Sequence, residues 1–543
     1  MAAPRSSSPE APNSGDAERR AITGRAGIVA AGTLASRLLG LGRDQALAAL
    51  FSRAATDAFF VAFTIPNVLR QLLAEGAVQN AVLPVLSQTK ERDGDAAARS
   101  LFASLRGLSL LILVVVSVLG VWLAPSLVDL FAHGYRSQPG QFERTVTLTR
   151  WVFPYIFFMG TAALGVAALN VHKRFVVTSF APGLLNIAFI ACAFGLPTWL
   201  ARGGHEAILA MAIGALIGGA LQVIAQWPSL RKIGYFSMPK FDFAQPGVRE
   251  ALRRMGPVLI GLGVYYVDVV LARRFLSELG EGAQSYFGWA LRLCDFPQGI
   301  FVMALSSATL PSLAALAARG EHDEVAKTFA YGMRLALFVG IAATALFVAL
   351  AEPLVVVIFQ RGAFDAEAAR ETGRALVAQG VGIWAVAAVR QLVSVYYALG
   401  DTRTPVIVAA LDLVVFITLA LTLRGPFGHV GIGMAVAGAS IAQMLFLFVG
   451  LRGKLTSLHL GEILSSALRT LLACALAAAA AAFTAKAVQA SVGDGAFARL
   501  LPGTGAGIVF VAVFFAGAFV FKSPELKVLS DGLLRKIRRK KAA

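Results

Sequence analysis

Residues 35–44, ASRLLGLGRD, place two arginines and an aspartate inside an apolar run that extends over 26–50. Downstream, DAFFVAFTIPNVLRQLLAEGAVQNAVLP (57–84) repeats the arrangement, with Asp57 near the start of the segment and Asn67, Arg70 and Glu75 near its middle. Both runs exceed the roughly 18 residues needed to cross hydrocarbon about 30 Å thick, so they read as membrane-spanning helices that carry charge at depth. Arg37 lies about 11 residues into its helix, about 16 Å at 1.5 Å per residue. An arginine at mid-bilayer costs roughly 2.5–3.5 kcal/mol on insertion scales, and four would approach ~10 kcal/mol. Such residues are expected to line a solvated cavity or to pair with one another, not to face lipid.

The rest of the chain fits that reading. Of 543 residues, 57% are hydrophobic and 15% charged, and the mean hydropathy is +0.71. A soluble protein could not hide so much apolar surface. Apolar segments recur at 26–50, 56–88, 101–132, 145–171, 176–201, 206–229, 250–276, 285–317, 326–350, 366–398, 404–424, 430–452, 463–488 and 499–521. The expected fold class is therefore an all-α polytopic membrane protein with about fourteen transmembrane helices. Residues 1–24 are polar and lack the hydrophobic stretch of a signal peptide, so they read as a disordered cytoplasmic tail.

The formal net charge is +18, yet the basic residues are not interleaved with aromatics as a nucleic-acid surface would be. They cluster in short breaks: Arg19, Arg20 and Arg25, Lys90 and Arg92, Lys173 and Arg174, Arg231 and Lys232, Arg253 and Arg254, Arg452 and Lys454, and the tail 535–543. These breaks fall on one side of a fourteen-helix chain, which places both termini in the cytoplasm. The opposite loops are poorer, with exceptions at Arg136, Arg144, Arg273, Arg274 and Arg361. A weak internal repeat sets Phe60, Leu83, Pro84, Leu86 and Phe102 against Phe287, Leu310, Pro311, Leu313 and Phe329 at constant spacing. Six helices per repeat is an even number, so the two halves run in the same sense. Cys192, Cys294 and Cys474 lie far apart in apolar stretches, and no disulfide framework or zinc site follows.

The in-span charges suggest a ligand class. The planar guanidinium fork binds phosphate through two parallel hydrogen bonds, which lysine does less specifically. Arg292 and Asp295 enter the eighth helix at the place corresponding to the second. Gly40, Gly42, Pro66 and Pro84 surround the charges with backbone that bends, and Asn67 with Arg70 shares one helix face. Blander readings compete: Arg43 and Arg292 could snorkel to the interface, Arg273 and Arg274 suit a rim, and Asp57 suits a helix start. Asp268, in mid-helix, has no evident partner.

These residues resemble the signature of the MurJ (MviN) family of lipid II flippases. Besides 35–44 and 57–84, the matching stretches are FPYI (153–156), LNVHKRFVVTSFAPGLLNI (169–187), RMGP (254–257), LRLCDFPQGI (291–300), LPSL (310–313) and YYALGDTRTP (396–405). The resemblance implies the multidrug/oligosaccharidyl-lipid/polysaccharide exporter fold, with six-helix lobes at 25–232 and 250–454. It also implies that helices 13 and 14 (460–522) form a groove for a polyprenyl tail, ahead of a basic cytoplasmic tail at 523–543. The substrate-binding set maps onto Arg37, Arg43, Arg70, Arg292, Asn67 and Ser36. Supporting or gating roles map onto Asp44, Asp57, Glu75, Asp295, Arg390, Pro66, Gly40 and Gly42. The implied activity is movement of lipid II, an undecaprenyl-pyrophosphate disaccharide-pentapeptide, across the bacterial inner membrane by alternating access. No covalent chemistry, metal or cofactor is expected; membrane lipids are partners, nucleic acid is not, and a coupling cation is an open question. Gln71, Leu291, Tyr265 and Tyr266 depart from the family pattern, which leaves the fine shape of the cavity open. The competing functions are export of another lipid-linked oligosaccharide or a drug on the same fold, a polyprenyl-phosphate enzyme, or a scaffold for cell-wall enzymes. The sequence has no nucleophile motif or metal-spaced acidic pair for the enzyme, and the scaffold leaves the deep arginines unexplained.

Overall fold

The computed structural model describes residues 14–72, 78, 81–299, 303–455, 457–491, 493, 495 and 498–526, and among these every regular element is a helix. The chain opens with α1 (Ser14–Leu50) and α2 (Arg53–Arg70), the latter capped by Ser52, whose Oγ accepts the Ala55 N–H at 3.4 Å. Next come α3 (Leu83–Trp122), α4 (Ala124–Ala132), α5 (Gln141–Val152), α6 (Tyr155–Val171), α7 (Phe175–Gly195), α8 (Pro197–Arg202) and α9 (Leu209–Lys232). After a connector follow α10 (Pro246–Ser277), α11 (Ala283–Pro297), α12 (Met303–Ala318), α13 (His322–Phe359), α14 (Ala366–Gly380), α15 (Ile383–Ala398) and α16 (Arg403–Leu451). The last described helices are α17 (Leu460–Ser491) and α18 (Leu501–Val520).

Nine segments among the described residues are long and apolar enough to cross a membrane. In two of them a pair of helices, α5 with α6 and α14 with α15, makes a single pass. The 49-residue α16 reverses at Gly428, where φ is +57°, so it supplies two passes. The remaining crossings, α1, α2, α10 and α11 with α12, carry charge within the span or are interrupted, and bring the described passes to fourteen. The sequence segmentation differs from the structure in detail. The third span, expected at 101–132, stops at Trp122 and restarts at Ala124, with Pro125 in the first turn of α4. Helix α1 begins at Ser14, upstream of the residue-25 boundary. Pro66 lies within α2, which gives way at 71–72 to wider, π-type turns.

Lipid tails do not drive apolar helices together, so packing depends on close approach and dispersion. One core joins both halves of the chain at one end of the bundle through Leu47, Phe59, Trp289, Phe359 and Leu376. A second ties α13 and α15 to α17 and α18 through Phe329, Phe338, Phe510 and Phe514. Just past α18, the Glu525 carboxylate is 2% exposed; it accepts from Arg334 Nε at 2.8 Å and from the Ser523 hydroxyl at 2.7 Å. Arg334 also meets Glu462 of α17 at 3.2 Å. Large apolar side chains such as Trp122, Phe483 and Phe519 stand three-quarters exposed on the outside, as a lipid-facing belt requires. Lys90, Lys173, Arg231, Lys232, Arg253 and Arg254 mark one end of the bundle, here termed the basic end. At that end the connector lies along α3, with the Lys240 N–H bonded to the Ala103 carbonyl and Arg106 to the Ser237 carbonyl, both at 2.9 Å.

Candidate translocation cavity

A cavity of about 880 Å³ lies between the first six passes and the next six. Its walls come from α1, α2, α6, α7, α11 and α15, and from the turn that follows α11. Val29, Asn170 and Phe175 line it next to Lys173 and Arg174, so it reaches the basic end; Asp44 and Arg292 line its other extremity. Five arginines (Arg37, Arg43, Arg70, Arg292 and Arg390) face it against two aspartates, Asp44 and Asp295, and Ser36 and Gly40 complete that part of the wall.

The arginines are held unequally. Arg43 donates to Asp44 Oδ1 through Nε at 2.9 Å and Nη2 at 2.6 Å, and to Asn186 Oδ1 through Nη1 at 3.2 Å. The other oxygen of Asp44 lies 3.6 Å from Arg292 Nε, so this carboxylate links α1 to α11. Its side chain is 7% exposed, whereas that of Arg292 is 43% exposed. Arg70 donates to Asn67 Oδ1 at 2.9 Å, the pairing expected of neighbours one turn apart. Arg37 reaches across to the Asp295 carbonyl at 3.4 Å. Gly299 makes room there: a Cβ on it would lie 1.9 Å from the Arg37 guanidinium. Arg390 Nε is buried without a hydrogen-bond partner among the described residues.

At the end opposite the basic one, the two halves are clasped shut. Arg53 on α2 meets Asp365 at 2.7 Å, Glu367 at 3.0 Å and the Tyr286 hydroxyl at 3.1 Å. Asp57, fully enclosed, accepts the N–H groups of Gly282 at 2.6 Å and Ser285 at 2.8 Å, together with the Ser285 hydroxyl. It therefore occupies the exposed N–H groups at the start of α11. The Ala363 N–H bonds to the Ala49 carbonyl at 2.8 Å, and the Phe60 and Trp289 rings meet edge to face at 4.8 Å. Asp365 caps α14, and the Ala368 N–H, with Arg53 beside it, holds its carboxyl below the usual carboxylate range.

The structure thus gathers Ser36, Arg37, Gly40, Arg43, Asp44, Arg70, Arg292, Asp295 and Arg390 in one cavity. Asn67 touches Arg70, while Pro66 is buried within α2 and Gly42 faces Ile190. Asp57 stands apart, in the clasp. Arg273 and Arg274 also sit at the clasped end, the first on Gln284 at 2.9 Å and the second on the carbonyls of Asp129 and Leu130 at 3.4 Å. Glu75 and the other residues of 73–77 lie outside the described residues. Asp268 gains a neighbour: Asp412 of α16 lies near enough to act on its charge, and one oxygen of each carboxyl is buried without a hydrogen-bond partner among the described residues. Sequence reasoning missed Asn186, Gly299 and the partners of Arg53. For Asn186 a signal existed, an amide in the middle of the apolar run FAPGLLNIAF (180–189).

A cavity with this charge, open at one end and clasped at the other, suits a multivalent anion carried between two aqueous faces. Solved structures similar to the chain include one titled "Lipid II flippase MurJ, inward closed conformation", with TM-score 0.74, 22% identity, and coverage of 91% of this chain and 98% of that one. An inward-facing multidrug transporter of the MATE family follows at TM-score 0.64 and 15% identity, covering 78% and 95%. These likenesses concern the fold. Among curated proteins, the lipid II flippase MurJ of Burkholderia cenocepacia is 34% identical over 426 residues, 77% of this chain and 82% of its own length. A probable lipid II flippase MurJ of Vibrio cholerae is 33% identical, over 78% and 82%. The family model described as lipid II flippase MurJ matches residues 47–503, most of the chain. The chain belongs to the MurJ family.

Proposed function

We propose that this protein is a lipid II flippase of the bacterial inner membrane, working by alternating access. The observation that carries the reading is the cavity in which five guanidinium groups face two carboxyls between the two halves of the chain. By the positive-inside rule the basic end is cytoplasmic, as are both termini, so the cavity opens to the cytoplasm and the clasp closes the periplasmic side. The pyrophosphate enters from the cytoplasmic leaflet and is met by Arg37, Arg292 and Arg390, whose donors are the least committed, with Arg70 and the fixed Arg43 beside them. A cationic drug would find the wrong sign of charge. Each six-pass half moves as a lobe, and Asp57 and Arg53 release when the periplasmic side opens. The prenyl tail stays in lipid along α17 and α18, whose outer faces carry Leu464, Phe483, Ile508 and Phe519.

Membrane potential acts on the translocated charge at ~2.3 kcal/mol per charge per 100 mV. Asp268 and Asp412 are the candidates for a coupling cation or proton; Asp268→Asn should slow flipping and abolish its dependence on a cation gradient, and unchanged coupling removes them from consideration. The central test uses full-length protein in liposomes with fluorescent lipid II. Wild type should equilibrate the leaflets, and Arg37→Ala and Arg292→Ala should not. Full transport by both variants overturns the reading.

A further inference from the structure

We propose that Asn186 is the positioning residue for Arg43, fixing that guanidinium before any ligand arrives; the proposal rests on the headgroup reading of the cavity. Helices α1 and α7 touch at Gly32, where a Cβ would lie 2.6 Å from the Ser179 carbonyl oxygen. Two turns further along α7, Asn186 confronts the Ser36–Arg43 stretch of α1, with 7% of its surface exposed. Its amide works in both directions. Nδ2 donates to the Ser36 carbonyl at 3.0 Å, and Oδ1 accepts from Arg43 Nη1 at 3.2 Å. The reversed amide would set an NH₂ group against the guanidinium and an oxygen against a carbonyl, so only one orientation satisfies both partners. The same helix brings the Phe189 ring to 5.4 Å from the Arg43 guanidinium carbon.

Arg43 is consequently held on three sides, by Asp44, Asn186 and Phe189. The contrast with its neighbours is physical: Arg37 has one long contact at 3.4 Å, and Arg292 is separated by 3.6 Å from its carboxylate. A cation already fixed loses little side-chain freedom when a phosphate binds, so its attraction is delivered with a smaller ordering cost. Without Asn186, the Nη1 edge of Arg43 loses its acceptor and the guanidinium is free to rotate onto Asp44 alone. Asn186 then acts through Arg43 and need not touch the headgroup.

The test uses the full chain, purified and reconstituted, with a short-prenyl lipid II analogue as the binding probe. Asn186→Leu, close in size, should weaken binding about 10-fold, the usual worth of a hydrogen bond to a charged group. In an Arg43→Gln background the same change should cause no further loss. Asn186→Thr, whose hydroxyl can accept a hydrogen bond, should recover part of the affinity, and it carries the test if the leucine variant does not fold. Asn186 also lines the cavity, so equal losses with and without Arg43 would mean that it packs α7 or meets the headgroup itself, and would overturn the proposal. So would full affinity in Asn186→Leu while Arg37→Ala loses binding. If Arg37→Ala and Asn186→Leu both bind normally, the headgroup reading falls together with it.

Discussion

At the scale of single residues, Asp44 decides how the cavity behaves when empty. Its carboxylate occupies the gap between Arg43 and Arg292 and neutralises part of the charge that a phosphate would meet. Asp44→Asn should therefore bind the short-prenyl analogue more tightly than wild type and unfold at a lower temperature, since two guanidiniums lose their counter-ion. Isothermal titration and a thermal melt check both; weaker binding would mean that Asp44 orients the arginines rather than competing with the ligand. The four motif arginines were legible in the sequence because charge at membrane depth is costly and must be accounted for. Arg53 was not. At the edge of a helix it looks like an ordinary loop cation, and its partners Asp365 and Glu367 are more than 300 residues away in the chain, a pairing that local pattern does not encode.

Elements carry the clasp and the anchor. The Asp365 carboxyl is held below its ordinary pKa by the first turn of α14 and by Arg53, so its contribution is present above the unfolded value of about 3.9 and is lost as pH falls through the lower folded value. The share of closure that Asp365 carries should thus be unchanged between about pH 5 and pH 8 and should weaken only in stronger acid. Labelling of Ala48→Cys, a position buried while this end is closed, reports this; a step near neutrality would exclude Asp365 as the titrating group. The anchor is the buried pair Arg334–Glu525. Arg334→Ala leaves a carboxylate enclosed without its partner, at a cost of about 3–5 kcal/mol for breaking a buried pair. Arg334→Leu combined with Glu525→Leu should lose much less, and equal losses in thermal unfolding would contradict that account. The all-helical, membrane-spanning character was readable from apolar length. The interruptions at Leu123 and at 71–72 were not, because apolar runs look alike on either side of a bend.

For the whole molecule, one half must rock against the other if the cavity is to change sides. Ala49 and Ala363 meet through a backbone hydrogen bond across the clasp, which brings them close enough to bridge. A disulfide between Ala49→Cys and Ala363→Cys should stop flipping, and a reductant should restore it; transport through the oxidised protein would show that this end need not part. The native cysteines are buried and should not interfere. The internal repeat suggests two halves, but which faces of twelve similar helices meet depends on contacts far apart in the chain. The pinned turn at 523–525 also bears on protein engineering. A reporter fused after residue 526 leaves this contact intact, whereas a truncation ahead of Ser523 removes the peg that Arg334 grips and frees the membrane-edge end of α18 to peel away.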